Sequence, residues 1–124
     1  MKTAKQEFLA SILKKGEHYT GIILGKDGEP DYHLILLPGD AEGVNWEAAK
    51  KFAVKAGGEL PTRREQALLF ANLKEEFQEC AYWSSTQHAS KPDCAWYQNF
   101  EYGDQYNYRK LYNCRARAIR RLVI

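Results

Sequence analysis

Six consecutive residues, Leu60-Pro61-Thr62-Arg63-Arg64-Glu65, constrain this chain more than any other segment. Proline breaks a helix interior, so Pro61 stands outside one. Thr62 and Glu65 have the spacing of a capping box, in which each side chain bonds a backbone N–H of the other residue. A helix therefore begins at Arg63 and is expected to run to about Gln78, with Leu69, Phe70, Leu73 and Phe77 inward. Just upstream, Gly57-Gly58 closes an earlier helix over 46–56, which Asn45 caps. Its buried stripe is Trp46, Ala49, Phe52, Ala53 and Ala56. Two short amphipathic helices in the middle of the chain need a common apolar surface to pack on, and the flanking segments must supply it.

Those flanks read mainly as strands. Residues 19–24 and 32–37 bracket the turn-rich Gly25-Lys26-Asp27-Gly28-Glu29-Pro30 and predict a hairpin. Its second strand, Tyr32-His33-Leu34-Ile35-Leu36-Leu37, is almost continuously apolar and belongs in the centre of a sheet. A first helix is expected over 3–15, with Phe8, Leu9, Ile12 and Leu13 on one stripe and Lys14-Lys15-Gly16 at its end. After Cys80 the pattern predicts strands at 81–86, 94–102, 105–111 and 114–123, with Tyr102-Gly103-Asp104 as a turn. The order implies one α+β domain over 1–124, in which two helices pack on a twisted antiparallel sheet. Its parts are an extra N-terminal helix (1–16), a hairpin (18–37), the helix pair (46–78) and the C-terminal strands (81–124).

Charge is unevenly placed. Residues 1–80 carry eleven basic and thirteen acidic side chains, whereas 81–124 carry seven and three. The net charge of +2 is too small to imply nucleic acid. Three cysteines, an odd and modest number, and no signal-peptide pattern point to a reduced, cytoplasmic chain. No apolar run approaches the roughly 20 residues of a membrane-spanning helix, so no membrane partner is expected.

The basic half is also the aromatic half, with nine of the sixteen aromatic residues between Ala81 and Arg121. Tyrosine dominates there and alternates with Asn, Gln, Asp and Arg. Its ring offers a large rigid apolar face with a polar tip at low entropic cost. If Trp96, Gln98 and Phe100 face the core, strand alternation turns Tyr97, Asn99 and Glu101 outward. Tyr102, Asp104, Tyr106, Tyr108 and Tyr112 follow on the next turn and strands. These eight residues are the candidate ligand-binding surface. The competing reading is that the tyrosines are half-buried sheet residues, which strands favour.

Other chemistry finds less support. Calcium needs clustered oxygen ligands, and only scattered carboxylates are available; Lys91-Pro92-Asp93 sets a lysine beside its one carboxylate. Cys80, His88 and Cys94 lack zinc-ligand spacing; three small buried thiols and a loop histidine are expected instead. Cys94 and Cys114 fall in strands expected to be neighbours, where oxidation would join them, although reduced thiols are expected. His18, His33 and His88 have no serine or cysteine partner in a catalytic motif, so neither enzyme nor cofactor is predicted. Arg115, Arg117, Arg120 and Arg121 invite phosphate, but Arg115 and Arg117 alternate with alanines as on a solvated strand face. The arginines are also placed to pair with the acidic helices.

Several of these pieces occur together in an order and spacing known elsewhere. They are Trp46…Ala49, Gly57-Gly58-Glu59-Leu60-Pro61-Thr62-Arg63…Glu65, Tyr82-Trp83-Ser84-Ser85-Thr86, the Ala95-Trp96…Gln98…Phe100…Gly103 series, and Arg117-Ala118-Ile119-Arg120. Over 31–124 the chain resembles the bacterial and phage domain-of-unknown-function family that includes Lcl C-terminal domains, and within it the short prophage-encoded members. The resemblance implies a C-type lectin-like fold, related to that of the formylglycine-generating enzyme. It implies a ligand-binding scaffold for a host or phage protein or a glycan, in the host cytoplasm or on a virion. Some lectin-like relatives bind glycans, and others diversify Tyr- and Asn-rich C-terminal strands to bind receptors. The alternatives are a host-takeover protein that contacts nucleic-acid machinery, or a degenerate relative of the formylglycine-generating enzymes. Those enzymes use paired C-terminal cysteines, a pattern that Cys94 and Cys114 do not match.

Overall fold

The structure, a computed structural model, describes residues 1–124. In chain order it comprises α1 (Ala4–Ile12), β1 (His18–Ile23), β2 (Tyr32–Leu36), β3 (Ala41–Val44), α2 (Trp46–Lys55) and α3 (Arg63–Leu73). A 3-10 turn at Lys74–Glu76 precedes β4 (Ala81–Gln87), β5 (Cys94–Asn99), β6 (Gln105–Arg109), β7 (Cys114–Ala116) and β8 (Ile119–Val123). The class is α+β, as the sequence implies.

The strands form two sheets where one was expected. The smaller has the order β1-β2-β8 and is antiparallel throughout. β2 is central in it, and Leu34, Ile35 and Leu36 are fully buried, so both its faces are covered. The larger has the order β3-β7-β4-β5-β6, and its β4–β7 pair is parallel. The expected strand 114–123 is therefore two strands in different sheets. The chain leaves β7 at Ala116, and β8 begins at Ile119 beside β2. Between them Arg117 is buried, not solvated. Its guanidinium donates to the Glu76 carbonyl at 2.6 Å and to the Leu37 carbonyl at 2.9 Å.

The larger sheet is covered on both faces, which explains why Tyr82 and Trp83, adjacent along β4, are both buried. Successive strand residues point to opposite faces. Trp83 and Ala95 join Trp46, Ala49 and Ala53 of α2 in one core cluster. Tyr82 and Phe100 join Leu69 of α3, together with Ile23, Leu34, Leu36 and Ile119 of the small sheet, in a second. α3 thus fills the angle between the sheets. In that cluster Phe77 stacks on Phe100 with ring centroids 3.9 Å apart.

Local signals account for the helices. Asn45 accepts from the Ala48 N–H at the start of α2. At α3 both halves of the Thr62/Glu65 box are formed. Thr3 and Gln6 make a second capping box on α1, absent from the sequence reading although its spacing is there to see. α1 ends at Ile12, short of the expected boundary, and buries no residue fully. α3 gives way at Leu73 to the 3-10 turn, so Phe77 reaches the core from an extended segment. Gly58 is required where β8 approaches, because a β-carbon there would lie 2.1 Å from the Ile119 carbonyl oxygen.

Candidate recognition surface

The tyrosines are placed by register. Trp83 on β4 stands opposite Tyr97 on β5, which stands opposite Tyr106 on β6; Ala95 stands opposite Tyr108. All five therefore share the face that carries α2. That helix covers Trp83 and Ala95 completely and Tyr97 in part, and the covering stops before β6, the outermost strand. The expected alternation along β5 is thus altered. Gln98 and Phe100 are buried on the α3 side as predicted, but the opposite side is a second core that opens into a surface. Trp96 is only half-buried. It stacks with His88 at 5.2 Å, and the Arg63 guanidinium lies 3.6 Å from its ring centre.

Ring contacts join four candidate residues to the core. Trp83 meets Tyr108 at 6.3 Å, Tyr108 meets Tyr97 at 5.9 Å and Tyr112 at 4.6 Å, and Tyr97 meets Tyr106 at 6.4 Å. Exposure rises outward, with Tyr108 at 42%, Tyr112 at 47% and Tyr106 at 55%. Burial raises the hydroxyl pKa of half-buried Tyr97, and the thiol of Cys114 and the Asp104 carboxylate nearby act in the same direction. Leu111, 83% exposed, lies beside Tyr112 and was missed in the sequence. Its signal was an apolar residue in a charged turn, Arg109-Lys110-Leu111. That turn is anchored, since the Lys110 carbonyl accepts from the Trp46 N–H at 3.0 Å and its N–H donates to the Asp93 carbonyl at 2.9 Å.

The other four candidates build the β5–β6 turn and make no ring contact with the cluster. The Asn99 side-chain oxygen accepts from the Glu101 N–H at 2.8 Å, and its carbonyl accepts from the Gly103 N–H. Asn99 is thus a turn-forming residue. Gly103 has φ of +85° and packs against Phe70, which leaves no space for a side chain. Glu101 and Tyr102 project from the tip, and Tyr102 is 75% exposed. The neighbouring Glu101 carboxylate raises the pKa of the Tyr102 hydroxyl. Asp104 has one buried carboxylate oxygen with no partner.

The arginines considered for phosphate binding all have partners inside the chain. Arg115 pairs with Asp40 at 3.0 Å, and Arg120 forks onto Glu17 at 2.8 and 3.0 Å. Arg121 forks onto Glu65 at 2.7 and 2.9 Å and also pairs with Glu59. Glu65, fully buried, accepts from the Tyr32 hydroxyl and the Thr62 N–H as well. Burial alone would raise its pKa; the bonds from Arg121, Tyr32 and Thr62 outweigh that and hold it below the ordinary carboxylate value. Burial and that same carboxylate push Tyr32 up to about 12.

The cysteines and histidines are spread through the fold. Cys80 is exposed, contrary to expectation, because it lies in the bend before β4. Cys94 and Cys114 are buried, but β4 separates their strands, so they are not neighbours. Burial pushes the Cys114 thiol up to about 12, which leaves it a poor nucleophile. The His88 Nδ1 accepts from the Ser90 and Lys91 N–H groups, and His33 bonds the Tyr19 hydroxyl at 2.8 Å. No three His, Cys, Asp or Glu side chains converge as metal ligands. No helix is long and apolar enough to cross a membrane. The chain matches no family model, and no curated protein is significantly similar to it.

Proposed function

We propose that the chain is a non-catalytic recognition domain of C-type lectin-like fold that binds a macromolecular partner, a protein or a glycan, through Tyr97, Tyr106, Tyr108 and Tyr112. The reading as a phage or prophage protein belongs to the same proposal and rests on the sequence resemblance. One observation carries the binding reading. A ladder of tyrosines runs from fully buried Trp83 to a rigid edge strand and ends in exposed rings beside Leu111. Rings so anchored lose little freedom on binding, and Tyr is enriched among interface residues that dominate affinity. None of these tyrosines lines any of the five surface cavities, so the patch is open and favours a protein over a small ligand. The internal pairing of Arg115, Arg117, Arg120 and Arg121 leaves the nucleic-acid alternative without a basic patch on that segment.

The test is a glycan array run beside a pull-down from host lysate, with wild type, Tyr106→Ala and Tyr108→Ala. A defined glycan or protein that binds wild type and is lost from both variants, each still cooperatively folded at the assay temperature, supports the surface. Binding that both variants retain rejects it.

A further inference from the structure

β1 is an edge strand of the small sheet. β1 pairs with β2 on one side and has no strand on the other. α3 runs beside that edge and is tied to it where the Asn72 amide donates to the Thr20 carbonyl at 2.7 Å. Further along lies a groove of about 420 Å³ between Ile22 and Leu24 on one wall and Arg64, Ala67, Leu68 and Ala71 of α3 on the other. A second cavity, of about 410 Å³, shares Leu24 and Arg64 with it and continues past Glu29 and Tyr32.

Three features identify an occupant. Ile22 and Leu24 are exposed although large and apolar, so the groove offers uncovered hydrophobic area on an edge strand. Ala67 and Ala71 lie one turn apart on α3 and leave room for a chain to run along the helix. Leu68 and Asn72 of α3 pack against Gly21, and from Ile22 onward the outward edge of β1 receives no side-chain bond from α3, which leaves this end of the edge for an added strand. Charge then sets the chemistry. Arg64 makes no ion pair or hydrogen bond within the chain, unlike Arg63, Arg115, Arg117, Arg120 and Arg121. It stands where the two cavities meet.

We propose that the β1–α3 groove binds an extended apolar peptide segment of a partner protein that carries one aspartate or glutamate. The segment extends the small sheet along β1, and its carboxylate pairs with the Arg64 guanidinium. The site shares no residue with the tyrosine surface and stands or falls separately from it.

A random heptapeptide library selected against the full chain tests this. The expected consensus is a single acidic residue flanked by alternating apolar ones. A synthetic consensus peptide binds wild type and loses about tenfold or more in affinity with Arg64→Glu and with Arg64→Gln, the loss of one charge-assisted pair. Arg64→Glu regains binding when the acidic residue of the peptide is replaced by lysine. Ala67→Trp, at an exposed position, fills the groove and abolishes binding, whereas Tyr106→Ala changes nothing. The proposal is overturned if no peptide is selected or if the consensus lacks an acid. It is equally overturned if the Arg64 and Ala67 variants bind like wild type, or if Tyr106→Ala removes binding.

Discussion

Glu65 holds the start of α3 and the last strand with one carboxylate. Its bonds to Thr62, Tyr32 and Arg121 leave no oxygen idle in a site closed to water. Replacing Arg121 with leucine would strand that buried charge and should cost about 3–5 kcal/mol. The pH response should reverse in sign. In wild type the folded pKa of Glu65 is depressed, so its contribution is present above the unfolded value of about 4.3 and is lost as pH falls through the folded one. In Arg121→Leu burial prevails and the folded pKa rises. The protonated form is then the stable one, and the gap in melting temperature to wild type should narrow from pH 7 to pH 4. A gap that stays constant would mean that Arg121 does not hold the carboxylate. Aromatic truncations should divide in the same residue-by-residue way. Trp83→Ala, in the core, should cost about 3–5 kcal/mol. Tyr106→Ala, at the outer edge, should stay within about 0.5 kcal/mol, as surface changes do, whereas Tyr108→Ala should cost about 1 kcal/mol through its ring contacts to Trp83, Tyr97 and Tyr112. Trp96→Ala should fall between, since that ring is only partly buried, between His88 and Arg63. A denaturant series on the four variants measures all of this.

α1 is the element least held by its own packing. It contributes no fully buried side chain, and its end is fixed by Arg120, which donates to the Ile12 carbonyl at 2.7 Å while forking onto Glu17. Arg120→Ala should therefore raise amide hydrogen exchange across residues 4–12 and leave β4 and β5 protected; equal exchange in variant and wild type would rule out this clasp. Thr62→Ala should cost about 1 kcal/mol through loss of the α3 cap, read from the denaturant midpoint. The elements that were legible in the sequence are those with local causes: the capped helices, the Gly-rich hairpin and the apolar β2. The unread ones depend on distant partners. β3 is Ala-Glu-Gly-Val, with little strand propensity of its own, and exists because β7 lies beside it. The break at Arg117-Ala118 is invisible until a second sheet is there to receive β8. The tyrosine surface was half legible for the same reason. Tyrosine enrichment pointed to Tyr106 and Tyr108, and alternation turned Tyr97 and Asn99 outward, but only the placement of α2 decides that Tyr97 is half-buried, and only the turn geometry assigns Asn99 to structure.

At the scale of the whole molecule, two sheets and the helices α2 and α3 share two apolar clusters without a cross-link. All three cysteines are free and no metal-ligand cluster is present. Melting curves with and without chelator and reductant should superimpose; a lower midpoint with chelator alone would reveal a structural metal. β8 gives the architecture a kinetic character. It follows β1–β7 in the chain, yet it completes a sheet with β1 and β2, and Arg120 finds Glu17 across 103 positions. Closing a loop of that span precedes any reward from the contacts it brings. During synthesis the hairpin of β1 and β2 must therefore wait with one flank of Leu34 and Leu36 unpaired, and the domain can lock only after residues 119–123 have left the ribosome.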